Sequence, residues 1–312
     1  MGAADVHQRL AEEGHRLVLV EVTSGPTGPG AALTARWETL PAVVVAVGAG
    51  GDPPPWADIA LEDADRSQVD RIRASVTDHP LASVALALLL RSSGSLGTGA
   101  GLVAESAVYS MLQAGPEFAA WRQGRPVRVH DPSTVDVERQ GGTLRIVLNR
   151  PGTHNALDSA MRDGLVEALL LAAFDPSIAG IGLSGAGPSF CSGGDLDEFG
   201  QRPDPASAHL IRLTQSPARL MAELSDRITV NVHGSTMGSG IELAAFAHRV
   251  VAHHATRIAL PEIGLGLVPG SGGAVSLPRR IGRHRTALLA LAGLEIDANT
   301  ALSWGLVDAV VD

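Results

Sequence analysis

From Leu144 to its end the chain alternates β-rich runs with helix-like stretches, and this alternation constrains the fold most. Leu144 to Leu148 reads as a strand, and Asp158 as the N-cap of a helix ending near Phe174. Ile178 to Leu183 and Arg227 to Val232 are the next strands. Ile241 to Phe246 reads as helix and Arg249 to Ala252 as strand. Short strands separated by helices argue for parallel pairing under a helical cover. The expected class is α/β.

The first half reads differently. Two β-like runs, Arg16 to Val22 and Pro41 to Val47, are flanked by Gly/Pro-rich turns at Gly25 to Gly30 and Gly48 to Pro55. Residues 64 to 123 look helical. Val69, Ile72 and Val76 recur at spacings of three and four, and Pro80 suits a first turn. Gly94 to Gly101 should break the helix, with Leu102 to Leu112 resuming it. Arg125 to Pro132 reads as a linker. The expected division is 1–63 with β structure, 64–130 helical, and 131–312 as the core. A chain of 312 residues, 45% hydrophobic and 18% charged, has material for a large core with an appendage, or for two domains.

Composition removes several chemistries. The chain has no lysine, so all 24 basic residues are arginine. A Schiff-base lysine and a P-loop lysine are excluded. Phosphate would have to be met by arginine, backbone amides or helix N-termini. A net charge of −9 and 3% aromatics argue against a nucleic-acid binder. Cys191 is the single cysteine, so no intrachain disulfide forms, which suits a reducing compartment. Met1 to Asp5 lacks a signal pattern, and runs such as Leu81 to Leu90 are too short to span a bilayer. A cytoplasmic protein without a membrane partner is expected.

Three segments carry candidate chemistry. Phe190-Cys191-Ser192-Gly193-Gly194-Asp195-Leu196 follows a strand, and its small residues let backbone approach a ligand. A helix starting near Asp195 would leave the amides around Ser192 free for an oxyanion. His233 to Leu243 runs from a strand through a small-residue turn into a helix, with free amides near Ser239 and Glu242 in the first turn. Leu260 to Gly273 places Glu262 in an apolar Gly/Pro-rich stretch, where burial would raise its pKa. Singly, the first reads sooner as an ordinary turn, the second equally as a capping glutamate, and the third sooner as a solvated loop acid. Together, two sets of amides and two acids make up the parts for thioester enolate chemistry.

In that order the segments resemble the crotonase superfamily of enoyl-CoA hydratases and isomerases, over about residues 136 to 312. Leu144 to Pro151 followed by Asn155-Ala156-Leu157 resembles the opening strand and acyl-CoA loop. Phe190 to Leu196 and Met237 to Leu243 resemble the two oxyanion segments, with Ser192 and Ser239 at the donor positions. Pro261-Glu262 with Gly264 to Gly273 resembles the second acid segment. The resemblance implies a spiral of repeated ββα units plus a helical N-terminal segment. It implies hydration of a 2-enoyl-CoA, Glu242 activating water and Glu262 exchanging the proton at Cα. Asn155, Ala156, Leu157, Gly193, Gly194 and Asp195 would face the CoA-bearing substrate. It implies no metal, no cofactor beyond the substrate's coenzyme A, and a homotrimer or hexamer. Asp195, Cys191 and His233 are taken as structural. Alternatives are an isomerase, an aromatic acyl-CoA-processing crotonase, and a catalytically weak acyl-CoA-binding subunit.

Relatives usually continue with a helical tail beyond the segment corresponding to Gly305 to Asp308, and residues 64 to 123 resemble such a tail placed in front. The expectation is a permuted arrangement, with these helices packed over the active site or a neighbouring subunit.

Overall fold

The computed structural model describes residues 16–22, 37–48, 52–126, 128, 134–201 and 204–312. Strands β1 (Leu17–Glu21), β2 (Val43–Val47) and β3 (Ile59–Leu61) pair parallel in that order. The sequence of β2, VVVAV, is β-branched almost throughout and buried on both faces, as suits a central strand. Four helices follow: α1 (Gln68–Asp78), α2 (Pro80–Ser92), α3 (Thr98–Gln113) and α4 (Pro116–Arg122). Proline occupies the first turn of α2 and α4, where its missing N–H costs nothing. Arg91 of α2 forms a buried bidentate pair with Asp58 and donates to the carbonyls of Trp37, Leu40 and Ala42. That fork fixes α2 to the small sheet.

The second half is built on six strands. They are β4 (Thr134–Gln140), β5 (Thr143–Asn149), β6 (Gly180–Gly185), β7 (Ile228–Val232), β9 (Arg249–His253) and β12 (Ala309–Val311). Their order is β12-β9-β7-β6-β5-β4, parallel except for the β4–β5 hairpin. In β5, Leu144, Ile146 and Leu148 face the core. A smaller sheet holds β8 (Ser235–Met237), β10 (Arg257–Ala259) and β11 (Glu295–Asp297) in the order β11-β10-β8. The helices are α5 (Ser159–Phe174), α6 (Pro205–Thr214), α7 (Pro217–Glu223), α8 (Ser239–Ala244), α9 (Gly273–Leu291) and α10 (Ala298–Trp304). Asp158 caps α5 by accepting from Met161 N, as its sequence position implies. Helix α9 bends at Gly282, whose φ of 76° no helix accommodates. The α/β expectation holds.

Helices α1–α4 pack onto this second half, and one buried apolar cluster runs through both parts. Glycines mediate the closest approaches. A Cβ on Gly270 would meet the Tyr109 ring at 2.5 Å, and one on Gly266 would meet Glu117 at 2.7 Å.

Three local expectations change. Helix α3 already starts at Thr98, so Gly99 and Gly101 lie inside it; Gly101 brings α3 against Val275. No helix begins at Asp195, and residues 196–200 form turns instead. The helix placed at Ile241 to Phe246 spans Ser239–Ala244. The Gly25 to Gly30 turn and most of the 125–132 linker lie outside the described residues. Among the described residues, no helix is long and apolar enough to cross a membrane.

Candidate active site

A cavity of about 1100 Å³ lies where the two halves meet. The second half contributes Leu157, Gly194, Ser239, Glu242 and Glu262, while α3 and α4 contribute Tyr109 and Phe118. Tyr109 meets Phe199 edge-on at 6.5 Å, which gives the cavity an aromatic wall. Within this chain, residues 109 and 118 of the helical segment thus wall the candidate site.

The two glycine-rich segments are locked together by backbone. Phe190 N donates to His233 O, Cys191 N to Ser235 O and Met237 N to Cys191 O. Cys191 is buried against this seam, and burial pushes its thiol up to about 12, so it is no nucleophile. The amide of Ser192 is spent: it donates to His154 O at 3.0 Å. Ser192 therefore is not the oxyanion donor that the sequence suggested. The free amide of that segment is two residues on, at Gly194. The chain turns through Gly193 at φ 104°, and among the described residues Gly194 N donates to no backbone carbonyl. Ser239 is the first residue of α8, so its N–H has no intrahelical partner. The two residues adjoin, since a Cβ on Gly194 would lie 3.8 Å from Ser239 Oγ. Gly194 N and Ser239 N are thus neighbouring amides left open among the described residues.

Glu242 is 1% exposed. Its Oε2 accepts from Ser271 N at 2.7 Å and Gly273 N at 2.9 Å. Burial raises its pKa and the backbone donors hold it back, leaving it at about 7. Glu262 is buried at the start of a 3-10 turn, and its Oε2 has no hydrogen-bond partner among the described residues. Burial first, and the nearby Glu242 charge second, push its pKa well above the carboxylate range. Burial thus raises both acids, and Glu242 is the one that backbone donors restrain.

Gly238 makes room for the second acid. Its φ is 46° and its ψ −121°, a conformation that L side chains avoid. A Cβ there would strike Glu262 Oε1. Gly238→Ala is expected to displace that carboxyl and lower kcat by roughly 10²-fold, the scale of one misplaced catalytic group. Turnover within threefold of the parent would contradict this geometry.

The remaining sequence assignments divide. Leu157, Gly193, Gly194 and Asp195 line the cavity. Asn155 does not face substrate. It is fully buried, accepting from Arg150 N and donating to the carbonyls of Ala186 and Ser189. It clamps its loop from inside, and its φ of 54° is one asparagine tolerates. Ala156 is not among the lining residues, and its carbonyl accepts from Arg150. The Asp195 side chain is held in a buried 2.6 Å pair with Arg150 and also accepts from Asp197 N, which fits its structural reading. His233 turns to Gly187 O, also as a structural group. Sequence reading missed Tyr109, Phe118 and Arg212, whose placement in the wall depends on how α3, α4 and α6 dock. Arg212 lies over the Tyr109 ring and donates to Ser106, Ser110 and Gln113. Glu105, in an otherwise apolar helix stretch, did offer a visible signal.

Residues 138–312 match the enoyl-CoA hydratase/isomerase family. The chain is 38% identical over 178 residues to 2,3-dehydroadipyl-CoA hydratase of Escherichia coli, a match covering 57% of this chain and 69% of that one. It is 34% identical over 176 residues to 1,2-epoxyphenylacetyl-CoA isomerase of the same organism, covering 55% and 67%. Among solved structures it resembles enoyl-CoA hydratase from Thermoplasma volcanium, with a TM-score of 0.52 and 35% identity over 57% of this chain and 71% of that one. An enoyl-CoA hydratase/isomerase from Marinobacter aquaeolei gives 0.53 and 32% over 57% and 70%.

Proposed function

The chain belongs to the enoyl-CoA hydratase/isomerase family, and on that premise we propose that it hydrates a 2-enoyl-CoA. The observation that carries the reading is the pair of buried acids, Glu242 and Glu262, both with pKa values raised first of all by burial, lining the cavity that Gly194 and Ser239 also line. The amides of Gly194 and Ser239 bind the thioester oxygen and strengthen their grip as the enolate forms. Ionised Glu242 takes a proton from water while the hydroxyl oxygen bonds to C3. Glu262 then gives its proton to C2, and the two acids exchange a proton through solvent to restore the starting state. The reading needs no cofactor beyond the substrate's own coenzyme A, because these groups supply each proton and oxyanion contact. It includes self-association as a trimer or hexamer, which fits the exposed Val103, Met111 and Leu210 on α3 and α6.

The test is steady-state hydration of crotonyl-CoA in labelled water. Incorporation of solvent oxygen at C3 is expected. Proton transfer between carbons without oxygen incorporation would favour an isomerase, and binding without turnover would leave an acyl-CoA-binding subunit. A bell-shaped pH profile of kcat/KM should accompany hydration. Activity rises with pH as Glu242 ionises around 7 and falls at higher pH as Glu262 loses its proton. The limbs belong to the coupled pair. A flat profile between pH 5 and 9 would remove the assigned roles.

A further inference from the structure

Four consecutive amides at the start of α9 are shared between two carboxylates in alternation. Ser271 N and Gly273 N donate to Glu242. Gly272 N and Ala274 N donate to Glu105, at 2.6 Å to Oε1 and 2.7 Å to Oε2. Glu105 belongs to α3, outside the residues that match the family, and is 2% exposed. It lines a side cavity next to the main one, not the main cavity itself. Each of its oxygens accepts one amide of the turn, while burial first and the nearby Glu242 second push its pKa well above the usual carboxylate range. Its amides alternate with those that hold Glu242, so any slackening on one side of the turn moves the other.

We propose that Glu105 is a positioning residue, which holds the 271–274 turn so that the Ser271 and Gly273 amides stay aimed at Glu242. This rests on Glu242 being the base of the proposed reaction. A carboxylate is the only common side chain that accepts two amides on separate oxygens at this spacing; glutamine offers one oxygen and turns an N–H₂ against the other amide. The turn also opens α9, where an acceptor meets the helix dipole. The other titratable groups facing the pair are Glu262, Tyr109, Cys191 and Arg212. None of them takes an amide of this turn.

The test compares the full-length protein with Glu105→Gln and Glu105→Asp. The ionisation of Glu242 is followed by carboxyl-carbon NMR on glutamate-labelled protein, with Glu242→Gln to identify its signal. Loss of aligned donors disfavours the ionised form. The Glu242 midpoint should therefore move up by about 1 on the pH scale in both variants. kcat should fall roughly tenfold while KM for crotonyl-CoA stays within twofold. Aspartate keeps the carboxyl group but falls short of the turn, so it separates positioning from the mere presence of an acid. An unchanged midpoint in both variants overturns the proposal. So does a downward move in Glu105→Gln with no move in Glu105→Asp, which would mean charge repulsion alone. Failure of both to fold makes Glu105 structural and overturns it too. The NMR midpoint needs no turnover, so absence of hydration in the parent protein counts against the reaction and leaves this test standing.

Discussion

Glu262→Gln should lower kcat for hydration by roughly 10²-fold or more, with KM little changed. The Glu262 carboxyl is buried, one of its oxygens has no partner among the described residues, and burial and then the charge of Glu242 raise its pKa. Glutamine has the same shape and fits the same space but has no acidic proton to give to C2. The thioester would still meet the Gly194 and Ser239 amides, so binding should survive. Glu242→Gln should cost a comparable factor, because glutamine can keep an oxygen on the Ser271 and Gly273 amides but cannot take the proton of water. The double variant should be scarcely worse than either single one, since acid and base act in one addition. Steady-state rates for the four proteins check this. A Glu262→Gln enzyme within twofold of the parent would remove the proton-donor role.

Removing residues 1–130 should leave a chain that does not fold to a soluble, active form. The deletion takes away Ile72, Leu86, Leu90, Tyr109, Leu112 and Phe118, all in the same buried cluster as Leu144 and Leu289. It uncovers Gly266 and Gly270, which the α4 backbone and the Tyr109 ring now cover. Each large apolar side chain buried against the core contributes about 1.5–3 kcal/mol. Losing half a dozen partners of that kind costs about 9–18 kcal/mol, as much as the whole stability of an ordinary domain. The deletion also removes Glu105 from the turn that holds Glu242. Expression, circular dichroism and turnover of the truncated chain decide the matter. A soluble core with full activity would show that the N-terminal helices are an accessory.

The strands β5, β6, β7 and β9 were legible because each is a short apolar run bounded by turn residues, a pattern that survives in one dimension. Their neighbour β4 was not: TVDVERQ is an edge strand largely open to solvent, so no burial pattern marks it. Glu242 and Glu262 were legible as acids in apolar, glycine-rich surroundings. Ser192 was misread for a physical reason. Residue types show that small residues allow free amides, but not which amide is free. That depends on whether a carbonyl from another loop arrives, and His154 O arrives at Ser192 N. Asn155 was misread likewise, because a buried clamp and a ligand-facing amide have the same letter.

By itself the sequence determined the α/β class, the order of the chemical segments and the two acids, since local propensity, glycine placement and isolated charges in apolar stretches act over a few residues. Tertiary structure alone decided that Gly194 rather than Ser192 offers its amide, that Tyr109 and Phe118 wall the cavity, and that Glu105 shares a turn with Glu242 across 167 residues of chain from Gly272. Those outcomes depend on which distant groups meet, and hydrogen bonds and burial between remote segments leave no mark on either segment read alone.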